Sequence, residues 1–201
     1  MPGDGTGLTR AQATRMVRTA AVVIFALGWI PVFVLRSERF HARRAVASPE
    51  EQRAMWNAVA TVTVHMTLVE LALTQAALVD LPTTRLAIGV LAFLVGLAFW
   101  GVARHTLVAY GRFLEPTEAL PALVTTGSFA IVRHPLALGM VILALGPAVA
   151  AATTLTWVSF ATVVVALARR CGQDEVELYE TFGDAYARYT ATTARLIPFL
   201  W

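Results

Sequence analysis

The chain has 201 residues, 57% of them apolar and only 14% charged, with a formal net charge of +3. It is too apolar for a soluble domain of this length and too weakly basic for a nucleic-acid binder. Its single cysteine, Cys171, excludes an internal disulfide and a cysteine zinc cluster, and no metal partner is expected.

The apolar residues fall in blocks long enough to cross a bilayer, which takes roughly 20 residues per helix. We read residues 1–201 as one all-α integral membrane domain, a bundle of about five transmembrane helices. Met1–Thr14 is polar, lacks the basic-then-apolar pattern of a cleaved signal peptide and reads as a flexible start. The first span is expected from Val17 to Leu35, with a kink at Pro31, followed by a polar, Arg-rich loop from Arg36 to Arg53. A second span runs from Met55 to Val79, a turn sits at Asp80, Pro82 and Thr83, and a third span runs from Leu86 to Val108. These N-terminal spans, 17–109, precede a region, 110–201, in which polar motifs concentrate.

Tyr110–Arg133 contains Pro116, Pro121 and Gly127 and reads as loop with a short helix. The apolar run from Leu136 to Leu167 is too long for one untilted helix. We divide it into a hairpin, Leu136–Val149 and Leu155–Ala168, separated around Ala150–Thr154. Arg169–Tyr189 has the charged, amphipathic pattern of a cytoplasmic helix outside the hydrocarbon. With five spans and the C-terminus inside, the cytoplasmic side holds Arg36, Arg39, Arg43, Arg44, Arg53, Arg104, Arg112, Arg133, Arg169, Arg170, Arg188 and Arg195. The outside keeps Arg10, Arg15, Arg18 and Arg85, an asymmetry that obeys the positive-inside rule. One long helix in place of the hairpin would separate Arg133 from Arg169, so the charge pattern favours the hairpin.

Two polar segments flank that hairpin. In the first, Gly127 permits backbone geometry closed to other residues, Arg133 and His134 offer donors at the membrane surface, and Pro135 suits a first helical turn. These residues could equally face phosphate headgroups. In the second, Arg170, Asp174 and Leu178 share one helical face. They form either a surface ion pair or a site in which an acid meets a cation while Arg170 holds an anion. The second span carries Asn57, His65 and Glu70. A carboxylate inside the hydrocarbon should face the bundle, where Glu70 could clasp His65 or line an acceptor tunnel.

Together the two segments resemble the isoprenylcysteine carboxyl methyltransferase family and its relatives, the phospholipid N-methyltransferases. The residues that carry the likeness are Leu123, Val124, Thr125, Gly127, Arg133, His134, Pro135 and Gly139. They are followed, in the family's order and spacing, by Arg170, Asp174, Glu175, Leu178, Phe182, Gly183, Tyr186, Tyr189, Ile197, Pro198 and Phe199. The chain departs from the pattern at Pro121 (His in the family), Phe129 and Ala137 (both Tyr) and Asp174 (Glu).

The resemblance implies S-adenosylmethionine-dependent methyl transfer, at the cytoplasmic interface, to a lipophilic or small acceptor bearing a carboxylate, thiol or amine. The acceptor would enter from the membrane lipids. It implies a cofactor site formed by Leu123, Val124, Gly127, Phe129, Arg133, His134, Pro135, Ala137 and Asp174. Arg170 and Glu175 would be the catalytic pair, and Arg170, with Glu70, would contact the acceptor. An NADPH-dependent reductase of the sterol-reductase type shares part of this plan, but Leu136 stands where the reductase motif has Asn. A non-catalytic membrane scaffold would need no such paired motifs.

Overall fold

The structure is a computed structural model that describes residues 9–44, 65, 68, 81–113 and 123–197. Among these, five α-helices occur: α1 (Arg10–Arg44), α2 (Thr83–Phe113), α3 (Pro135–Ala151), α4 (Thr154–Phe182) and α5 (Asp184–Thr192). A 3-10 turn, Gly127–Ala130, precedes α3. The described residues form no strand beyond one isolated parallel bridge between Val132 and Ala194. Three helices are long and apolar enough to cross a membrane, through Ala11–Ile30, Thr83–Leu107 and Thr154–Phe182, and α3 is a shorter apolar helix.

The polar start and the Arg-rich segment differ from expectation. Helix α1 begins at Arg10, inside the stretch read as a flexible tail, because Thr9 and Gln12 form a capping box. The Thr9 hydroxyl accepts from the Gln12 amide at 3.3 Å, and Gln12 Oε1 accepts from the Thr9 amide at 2.9 Å. Helix α1 also continues through Arg36–Arg44, read from sequence as loop. The second span lies outside the described residues except for His65 and Leu68, and so does Glu70.

The hairpin is present, but its break falls at Ala152 and Thr153, and Pro147 is accommodated inside α3. Ala152 adopts a left-handed conformation (φ 51°) at the end of α3. Thr153 and Thr156 then cap α4 reciprocally, the Thr156 amide donating to the Thr153 hydroxyl at 3.2 Å. Beyond the bilayer-length stretch there is no separate amphipathic helix at Arg169. Arg169 through Phe182 is the C-terminal end of α4 itself, and only α5 is separate, set off by Gly183 at φ 48°.

Helices α2 and α3 approach backbone to backbone through glycines seven residues apart on each. A Cβ at Gly89 would come within 2.6 Å of the Gly146 carbonyl, and one at Gly96 within 2.3 Å of the Leu143 amide. A Cβ at Gly139 would lie 2.8 Å from the Trp100 backbone. In a membrane, where apolar burial between helices gains little, such small-residue contacts supply the packing. Against this pair sits an aromatic core, with Phe25 edge-on to Phe93 at 5.1 Å and Trp29 to Phe93 at 6.4 Å. The outward faces remain apolar: Val23 and Leu27 on α1, Ile88, Leu91 and Val102 on α2, and Val158 and Val165 on α4 are exposed. Such faces suit lipid rather than water.

The hairpin's geometry sets the position of the polar motifs. From His134 to the turn is about 27 Å along α3, at roughly 1.5 Å per residue, and the same distance back along α4 reaches about residue 172. The end of α4 therefore lies beside the beginning of α3.

A candidate active site at the open end of the hairpin

Glu175 is the centre of the polar cluster. Its Oε1 lies 3.1 Å from Arg133 Nε and 3.3 Å from His134 Nε2, and its Oε2 lies 2.9 Å from an Arg195 terminal nitrogen. The Arg133 contact is an ion pair by distance without hydrogen-bond alignment. Arg133 directs a terminal nitrogen to the Thr190 carbonyl at 3.2 Å. One carboxylate thus ties together the segment before α3, the end of α4 and the segment after α5.

Backbone bonds fix the same three pieces. The Arg133 amide donates to the Ala194 carbonyl at 2.8 Å and the His134 amide to the Arg195 carbonyl at 3.2 Å. The Tyr189 hydroxyl donates to the Phe129 carbonyl at 2.6 Å, docking α5 on the 3-10 turn. Gly127 starts that turn at φ 62°, the left-handed region that its lack of a Cβ allows. His134 is the N-cap of α3 but makes no side-chain cap bond, and Pro135 occupies the first helical turn. The imidazole is therefore available to Glu175.

His134 is 9% exposed, and its pKa is held below the usual 6.5. Burial is the main cause, and Arg195 and Arg133 act the same way, while Glu175 opposes them. A neutral imidazole donating Nε2–H to Glu175 is the form this environment favours. Burial likewise raises the phenols of Tyr186 and Tyr189 to about 12. For Tyr186, Glu175 adds to the rise, and both rings remain protonated donors at neutral pH.

Arg170 and Asp174 pair one helical turn apart at 2.8 Å, with side chains 25% and 33% exposed. The other expected residues spread around this centre. Leu123, Val124 and Phe129 are half-buried, Pro135 is buried, and Ala137 packs against the apolar core. His65 is buried against Trp29, with ring centroids 6.2 Å apart. Glu70, the partner expected for His65, lies outside the described residues. Sequence reasoning paired Glu175 with Arg170 as catalytic and assigned Arg195 no role beyond its charge. The only signal for Arg195 was its position just before the Ile197–Phe199 tail.

A family model described as phospholipid methyltransferase matches residues 84–183. The match covers just under half of the chain and makes this segment similar to that family. No curated protein matches the chain. The matched segment runs from the start of α2 to the end of α4 and includes Arg133, His134, Arg170, Asp174 and Glu175. Arg195 and α5 lie beyond it and close onto it.

Proposed function

We propose that this membrane protein transfers a methyl group from S-adenosylmethionine to a lipophilic or small acceptor, with its site at the cytoplasmic interface. The observation that carries the reading is the convergence of Arg133 and His134 with Glu175, 41 residues apart in sequence, inside the segment similar to phospholipid methyltransferases.

The side chains fit the cofactor's charges. Asp174 keeps a third of its side chain exposed, so a cationic ammonium can reach it. Ser128, on the turn Gly127–Ala130, has a buried hydroxyl with no partner, and His134 and Arg133 stand beside it in sequence. These groups suit a carboxylate. Leu123, Val124, Gly127, Phe129, Pro135 and Ala137 would line the remainder.

When bound, S-adenosylmethionine supplies a methyl group activated by its sulfonium. Glu175 fixes Arg133, His134 and Arg195 in one arrangement. Arg170 would contact an anionic acceptor, and Glu70 would extend the acceptor's path from the lipid. An acceptor already anionic needs no general base, so the protein's contribution is alignment and exclusion of water.

Thermal unfolding of the detergent-solubilised protein tests the reading. S-adenosylhomocysteine at a hundred times its dissociation constant should stabilise the fold by about 2.7 kcal/mol, and NADPH should not. Stabilisation by NADPH alone would assign the chain to the reductase class. The orientation has its own check. A cysteine introduced between Arg36 and Arg53 of a Cys171-free variant should react only from the cytoplasmic side, and labelling from outside would reverse the topology.

A further inference from the structure

Helix α5 and residues 193–197 lie against the polar cluster as a separate piece of chain, joined to α4 through Gly183. The backbone of Gly183 (φ 48°, ψ −121°) is in a positive-φ conformation that favours glycine. A Cβ added there would meet nothing within 4 Å, so nothing crowds the joint. Gly96 and Gly139 make the contrast, since close backbone approach is what excludes a side chain at those positions.

The bonds that hold this piece down are largely polar. The carbonyls of Thr190, Ala194 and Arg195 accept from Arg133 and His134, and the Tyr189 hydroxyl donates to the Phe129 carbonyl. Arg195 pairs with Glu175. Tyr186, Tyr189, Thr193 and Leu196 are buried, but none of them belongs to the continuous apolar core, whose last member along the chain is Leu167. A segment outside the main core and tied by a few polar bonds opens at lower cost than the packed helices do.

Closure also shuts polar groups away. Ser128 is 5% exposed, and the Ser128 and Tyr186 hydroxyls, one on the 3-10 turn and the other on α5, are buried with no hydrogen-bond partner. Lifting the piece would return such donors to water, which offsets part of the bonding lost.

We propose that α5 and residues 193–197 form a hinged strap over the site. The strap pivots at Gly183, is latched by Tyr189 on the Phe129 carbonyl and by Arg195 on Glu175, and lifts to exchange ligands. The inference rests on reading the Glu175 cluster as the ligand site. Lifting would free the Arg133 and His134 amides together, because both donate to strap carbonyls.

The test is amide hydrogen exchange of the full-length protein in detergent, resolved to single residues. The comparison amides are those of Asp174 and Glu175, at the same end of the hairpin but inside α4. In the wild type the Arg133 and His134 amides should be about tenfold or more less protected than these. Tyr189→Phe should speed the Arg133 and His134 amides about fivefold, the change expected for one neutral hydrogen bond, and leave Asp174 and Glu175 unchanged. Gly183→Ala should act in the same direction, because alanine resists a φ of 48°. S-adenosylhomocysteine should slow the same two amides by holding the strap shut. Arg133 and His134 amides as protected as those of Asp174 and Glu175 would overturn the strap. So would equal acceleration of all four amides in Tyr189→Phe, the mark of a merely structural hydroxyl. Unchanged exchange in Gly183→Ala would overturn the pivot, and bound S-adenosylhomocysteine without effect on the two amides would overturn the gating role. If the wild type binds no S-adenosylhomocysteine, the methyltransferase reading fails, and the ligand-free comparisons still judge the strap.

Discussion

Glu175→Gln is the perturbation from which the structure predicts most. Glu175 bridges Arg133, His134 and Arg195 and is 21% exposed, while the three partners are 15%, 9% and 20% exposed. Removing one member of a fully buried ion pair costs about 3–5 kcal/mol, because the remaining charge is stranded. Here solvent reaches part of the cluster, and a glutamine oxygen can still accept one bond, so about 2 kcal/mol is expected. At about 2–4 °C per kcal/mol for a chain of this size, the unfolding midpoint should fall by roughly 4–8 °C. Arg195→Gln alone should cost a similar amount. The double variant should cost less than the sum, with a coupling of about 1–2 kcal/mol. Tryptophan fluorescence during thermal unfolding in detergent would measure all three. Additive effects, or an unchanged midpoint in Glu175→Gln, would refute the idea that this carboxylate assembles the site.

Acidification should weaken the same cluster through His134. Its pKa is lowered in the folded state, chiefly by burial, so the unfolded chain binds the proton more readily. This stability is fully present above about pH 6.5 and is lost as pH falls through the depressed folded value. His134→Gln should remove that part of the decline between pH 7 and pH 5 in a series of melting curves, and a parallel decline in the variant would exclude His134 as its source. Gly96→Val should be severely destabilising, on the order of 3 kcal/mol or more, since even a Cβ there meets the Leu143 amide at 2.3 Å. Expression and monodispersity in detergent would report it, and a variant as stable as wild type would contradict the close α2–α3 approach. Arg170→Ala should cost only a few tenths of a kcal/mol in stability, as for other partly exposed pairs. It should nevertheless abolish or slow methyl transfer with cofactor affinity nearly intact, and Arg170→Lys should not fully restore it. Asp174→Asn should weaken cofactor binding by about 1.5–3 kcal/mol. Full turnover in Arg170→Ala would remove it from the acceptor site.

Long apolar runs made the membrane class and the helical content legible in the sequence, because the bilayer sets a minimum span that composition alone can reveal. The hairpin was legible too. Arg133 and Arg169 had to share a side, and the Ala150–Thr154 stretch offered a place to turn. Helix ends were less so: Thr9 with Gln12 and Thr153 with Thr156 extend or start helices by local hydrogen bonds that hydropathy does not register. The Arg133-His134-Pro135 and Asp174-Glu175 motifs were visible as residues, but their relation was not. That Glu175 rather than Asp174 gathers the cations, and that Arg195 joins them, depends on which face of α4 turns toward α3. The chain settles that rotation by pressing Gly139 and Gly146 of α3 against α2 and by closing the segment after α5 onto Val132 through backbone bonds. Contacts between elements far apart in the chain leave no periodicity in the sequence. The sequence alone therefore determined the membrane-spanning, all-helical class of the protein and which residues make up its motifs, and only the tertiary packing decided which charges meet.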